Sequence, residues 1–110
     1  MDVLNDLPAS IEWCVYRGDT ANFSMFVRDE DDNPIDMTGY DVTGQIRQNP
    51  SDANPEQTLA IVVNNDLIDI TIPDTSILKK VSYFDINTAK DGVTKTLLFG
   101  RIMADQDVTR

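Results

Sequence analysis

For chemistry this 110-residue chain offers nineteen carboxylates, nine cationic side chains, one thiol and no histidine. Without histidine, the commonest general base and the commonest neutral metal ligand are both missing. Cys14 therefore has no imidazole to activate it. Its position next to Trp13 in an alternating run puts it on the opposite strand face, as a small packing residue or a half-exposed thiol. In the acidic group Asp29, Glu30, Asp31, Asp32, residues Asp29, Asp31 and Asn33 have the one-three-five spacing of a calcium loop. That loop then needs glycine where Pro34 stands and glutamate where Tyr40 stands. The stretch reads as a solvated hairpin tip, with weak ion binding as the alternative. Gly39, Gly44, Gly92 and Gly100 are scattered, and none lies between a strand and a helix as a phosphate cradle requires. The remaining carboxylates fall in turns, which are wet places and do not shift pKa values as a dry pocket does. The expectation is a protein without enzymatic activity, cofactor or metal.

Arg17-Gly18-Asp19 has the composition of a cell-adhesion tripeptide. Adhesion needs those residues at the tip of an exposed flexible loop. Here strand-like residues run up to Arg17 and resume at Thr20, so the break is about two residues long, as in a tight connection. Glycine supplies the permissive dihedral and Asp19 is expected to cap the turn.

The elements that would position these residues alternate with period two, which is strand periodicity. Seven runs are legible: 11–17, 20–28, 40–48, 57–64, 67–72, 81–88 and 93–104. Ile11, Trp13 and Val15 share a face in the first, and Phe23, Met25 and Val27 in the second. In the third, Gly44 falls on the apolar face, the mark of a bulge or a close backbone approach. Asn65-Asp66 and "AKDG", 89 to 92, signal hairpin turns. The segment 73–80 reads as one short helical turn, near residues 74–79, with Ile77 and Leu78 plugging the core end. Tyr83 follows at the start of the next strand. It fits a tyrosine corner, and equally a plain half-buried strand tyrosine. Short strands separated by turns imply an all-β antiparallel sandwich of about seven strands. Residues 11–104 form its single domain, between an N-terminal arm at 1–10 and a polar tail at 105–110.

The net charge of −10 repels phosphate backbones and anionic membranes, so neither nucleic acid nor a membrane is an expected partner. A single cysteine rules out an internal disulfide. The start "MDVLNDLPAS" has no basic residue and no signal-peptide pattern.

The order of short motifs resembles a family of virion structural proteins of tailed bacteriophages. Residues 16–47, "YRGDTANFSMFVRDEDDNPIDMTGYDVTGQIR", carry Gly18-Asp19-Thr20, then Pro34-Ile35-Asp36-Met37-Thr38-Gly39, then Gln45-Ile46-Arg47. Met37 stands where the family has leucine, which conserves volume. "DITIPDTSILKKVSYFDI", 69 to 86, and "LLFGRIMADQDVTR" at the end continue the likeness. The resemblance implies an immunoglobulin-like sandwich, similar to the N-terminal domain of baseplate upper proteins and to tail-fibre attachment modules. It makes Gly18, Asp19, Thr20, Asp36, Thr38 and Gly39 structural turn signatures. In longer members the module precedes a fibre or receptor-binding region. The sequence ends at Arg110, so the reading favours an adaptor at the tail, baseplate or fibre, with capsid decoration as the alternative. Location in the virion after synthesis in the host cytoplasm follows from the same resemblance. So do other virion proteins as partners, with a homo-oligomer in the particle among the arrangements it allows. An adhesion or carbohydrate-binding module, using Arg17 to Asp19 or Trp13, Tyr16 and Tyr40, is the remaining alternative.

Overall fold

The computed structural model describes residues 2–4, 9–29, 31–49 and 51–105. Within them, strands β1 (Asp2–Leu4), β2 (Ala9–Tyr16), β3 (Ala21–Arg28), β4 (Asp41–Arg47), β5 (Gln57–Thr58), β6 (Ala60–Asn64), β7 (Leu67–Ile72), β8 (Val81–Lys90) and β9 (Val93–Asp105) form two sheets. One is ordered β1-β3-β7-β6 and the other β2-β9-β8-β4-β5. A single 3-10 turn, Thr75–Ile77, interrupts the strands. Residues 1 and 5–8 of the expected arm, Glu30 of the acidic turn, and 106–110 of the expected tail lie outside the described residues.

The all-β expectation holds, and two of its details change. First, nine strands replace the seven expected. Asp2–Leu4 pairs with β3, and the run 57–64 is split by Leu59. Gln57–Thr58 pairs with β4 in one sheet, while Ala60–Asn64 pairs with β7 in the other. The chain crosses between sheets at Leu59, whose amide still bonds to the Gly44 carbonyl at 2.8 Å. Second, the sheets are not purely antiparallel. β2 lies parallel to β9 along Ala9↔Leu98 to Tyr16↔Asp105, and β1 lies parallel to β3. Alternation fixes which face a residue takes, but not which distant strand lies beside it.

The expected hairpins form. Asn64 pairs with Leu67 across Asn65-Asp66, and Lys90 with Val93 across Asp91-Gly92, where both turn residues have positive φ. Between β8 and β9 the register shifts at Ile86/Asn87, from Ile86↔Leu98 to Asn87↔Thr96. Leu97 is the extra residue of this bulge, and both Leu97 and Leu98 are fully buried.

The core fills the space between the sheets. Met25, Val27, Ile68 and Ile70 come from one side, and Ile46, Ile86, Leu98 and Ile102 from the other, all fully buried. Each such side chain contributes about 1.5–3 kcal/mol over its exposed state. Near one end Trp13 packs edge-on against Phe23 of the opposite sheet, ring centroids 4.5 Å apart, and against Phe84 at 5.9 Å. Glycine permits the closest approaches. A Cβ on Gly100 would lie 1.9 Å from the Ile11 carbonyl oxygen, and one on Gly44 would meet methyl groups of Ile86 and Leu59 at 2.7 and 2.8 Å. Leu78 is buried below the 3-10 turn. Ile77, expected beside it at the core end, is exposed, and Thr75 is buried there instead.

Candidate functional site

The six turn-signature residues fall at the two opposite ends of the sheets, where they close connections. At the first end, Asp19 N–H donates to the Tyr16 carbonyl at 3.1 Å, closing a turn over Arg17 and Gly18, whose φ is 92°. This turn is docked on the 73–78 segment. Gly18 N–H donates to Thr75 Oγ1 at 2.9 Å, and the Thr75 hydroxyl donates to the Asp19 carbonyl at 2.7 Å. Arg17 Nε donates to the Leu78 carbonyl at 2.6 Å. The side chain that fastens the turn is the buried Thr75. No hydrogen bond to the Asp19 carboxylate is among those described, so the expected aspartate cap is supplied from another element. Asp74 caps the 3-10 turn by accepting from Ser76 N–H, and Gln57 bonds both the N–H and the carbonyl of Asp74. Arg17 is thus engaged with the body of the protein, unlike the tip of a free adhesion loop.

At the second end, Asp36 Oδ1 accepts from Thr38 N–H at 2.9 Å, and Tyr40 N–H bonds the Met37 carbonyl over Gly39, φ 90°. The Thr38 hydroxyl first and its amide second hold the Asp36 carboxyl below the ordinary carboxylate value. Desolvation opposes this, and Lys90 adds weakly to it. Met37 inserts between them as a fully buried anchor, its N–H bonded to the Asn65 carbonyl. The acidic tip beside it is similarly self-satisfied. Asp29 Oδ1 accepts from Asp31 N–H and Asn33 N–H, both at 2.9 Å, and Asp32 approaches Arg28 Nε at 3.7 Å. A carboxylate that ties down two amides is a poor start for a cation cage, and among the described residues no group of three or more metal-binding side chains converges.

Tyr83 lies on the outward face of β8, opposite Arg47 and Arg101 on the neighbouring strands. No hydrogen bond from its hydroxyl back to the 73–80 segment is among those described. Cys14 is exposed on the same outer side, beside Met103.

That outer face of the five-stranded sheet is the assembly the motifs did not reveal. Phe99, 44% exposed, sits across from Asp85 and next to Tyr83. Two open depressions flank these two side chains. One is lined by Arg47, Asp85 and Gly100, and the other by Ser10, Glu12 and Arg101. Arg101 Nη2 donates to Glu12 Oε2 at 3.0 Å, and Arg47 Nη1 stands 3.9 Å from Asp85 Oδ2 while Arg47 Nε donates to the Asp52 carbonyl. Asp85 Oδ1 is buried and has no hydrogen-bond partner among the described residues. These four charges cancel, so the chain's entire excess of ten negative charges lies elsewhere. Parity could have found this face, since Leu98 and Ile102 inward place Phe99 and Arg101 outward. The bulge at Leu97 broke the count from the hairpin side.

No protein-family model and no curated protein matches this chain.

Proposed function

We propose that this chain is a non-enzymatic structural protein of a tailed-phage virion, an adaptor at the tail, baseplate or fibre that works through protein–protein contacts. The observation that supports this most is how the residues carrying the resemblance are used. Gly18, Asp19, Asp36, Thr38 and Gly39 commit backbone and side-chain groups to closing turns. A motif so used marks a shared scaffold, and leaves the neutral aromatic face around Phe99 and Tyr83 to meet a partner. Aromatic and arginine side chains with charges already paired are what a contact surface of this kind presents.

Strand order supports the immunoglobulin-like part of the proposal. β3-β7-β6 and β9-β8-β4 follow the B-E-D and G-F-C orders of that fold, with β5 beside β4 where variable-type domains add a strand. The parallel β1–β3 pair is a departure at the sheet margin.

The test is assembly in the phage that encodes the chain, with Phe99→Glu and Arg101→Glu introduced separately. Both positions are exposed, so the soluble variants should keep the wild-type unfolding midpoint. The expected result is particles depleted of the chain. Unchanged incorporation of both variants would refute the assignment of this face.

A further inference from the structure

Among the described residues four strands end the two sheets, and they differ in what they offer to another chain. β1 and β5 are three and two residues long. β2 is longer but carries the exposed Glu12 near its middle. β6, Ala60–Asn64, has no charge, and the charge-free run extends from Gln57 to Asn65. No described residue pairs with its outer edge. Proteins ordinarily blunt such an edge with lysine, proline or a bulge. β6 has none of these, and its central Val62 is 64% exposed.

The register of β6 fixes which backbone groups are open. The two-residue turn makes Asn64 and Leu67 the closing hydrogen-bonded pair, so the N–H and C=O groups of Ala60, Val62 and Asn64 point to β7. Those of Ile61 and Val63 point away from the sheet. The open groups are therefore placed symmetrically about Val62. A two-fold axis through Val62 brings Ile61 of one copy opposite Val63 of the other, and the reverse. Each such pair exchanges two N–H···O=C bonds, four in all. The Val62 side chains meet on the axis as a non-hydrogen-bonded pair, with Cα atoms about 4.5 Å apart. For a chain of net charge −10, a second copy approaching along a charge-free strand meets the least repulsion.

We infer that β6 is a homodimerisation edge, pairing antiparallel with β6 of a second copy about a two-fold through Val62 and joining two four-stranded sheets into one. The inference concerns the chain alone and is independent of the virion reading.

Sedimentation equilibrium of the full chain over a wide concentration range tests it, together with two kinds of variant. Wild type should show a monomer–dimer equilibrium. Val62→Lys should weaken the dimer at least tenfold while leaving the urea midpoint of dilute protein unchanged. In a Cys14→Ser background, Val62→Cys should form a disulfide-linked dimer on mild oxidation, because the paired Cα separation suits a disulfide. Ala60→Cys should not, because its two copies would lie about 13 Å apart along the paired strands. A chain that stays monomeric at every concentration would overturn the inference. So would a dimer indifferent to Val62→Lys, or equal cross-linking through Ala60→Cys.

Discussion

Thr75→Val is the most informative single substitution in this fold. Thr75 is 5% exposed, and its hydroxyl both accepts from Gly18 N–H and donates to the Asp19 carbonyl. Valine keeps the shape and removes both bonds. Each net hydrogen bond contributes about 1 kcal/mol, and an N–H or C=O left unpaired costs more than that where water cannot replace the partner. Gly18 and Asp19 are themselves exposed, so water recovers part of the loss. The expected cost is about 2 kcal/mol. With a urea m-value of about 1.5 kcal/mol per molar for a domain this size, the midpoint should fall by roughly 1.3 M at constant m. Thr75→Ser, which keeps the hydroxyl, should recover more than half of that. Asp19→Ala should stay within about 0.5 kcal/mol of wild type, as exposed substitutions without a lost partner do. If Asp19→Ala were the costly change and Thr75→Val the neutral one, the account of the Arg17-Gly18-Asp19 turn would be wrong.

Other outcomes follow from the same geometry. Gly100→Ala drives a Cβ into the Ile11 carbonyl, which is backbone and cannot step aside, so it should cost about 3 kcal/mol or more in denaturant titration. Gly44→Ala meets methyl tips of Ile86 and Leu59 first, with the Asp85 carbonyl oxygen farther off at 3.1 Å, and should cost about half as much. Gly39→Ala has open space around it, and its penalty, about 1–2 kcal/mol, should come from the left-handed backbone alone. Asp36 has a folded pKa below its ordinary value, so its ionised form favours the native state above that value, and the benefit is lost as pH falls through the folded pKa. The stability gap between wild type and Asp36→Asn, read by urea titration at each pH, should therefore be constant near neutrality and close as pH drops below about 4.

Faces were legible in the sequence; neighbours were not. Ile11, Trp13, Phe23, Met25 and Val27 point inward as their alternation requires, because the pleat alone decides that. Asn65-Asp66 and Asp91-Gly92 announce their hairpins through local turn chemistry. The parallel β2–β9 pairing joins residues some ninety positions apart, and no local pattern encodes it. The run 57–64 looks continuous because Leu59 is as apolar as its neighbours. Its role as the crossing point shows only in the strand pairing, Gln57–Thr58 with β4 and Ala60–Asn64 with β7. Thr75 was hidden for a related reason. Its partners are more than fifty residues away, and a threonine in a short turn carries no sign that it is buried. Parity about Leu98 and Ile102 turns Phe99 and Arg101 outward, but only the strand order sets Tyr83 and Glu12 beside them as one surface.

The proposed adaptor role is tested most directly by quantitative mass spectrometry of purified tailed-phage particles from a genome carrying this sequence, normalised to the portal protein. An adaptor should be present at a low fixed copy number, equal to the tail's rotational symmetry or a small multiple of it. A copy number scaling with the major capsid protein would contradict the tail location and move the chain to the capsid surface. Absence from the particle would contradict the virion assignment altogether.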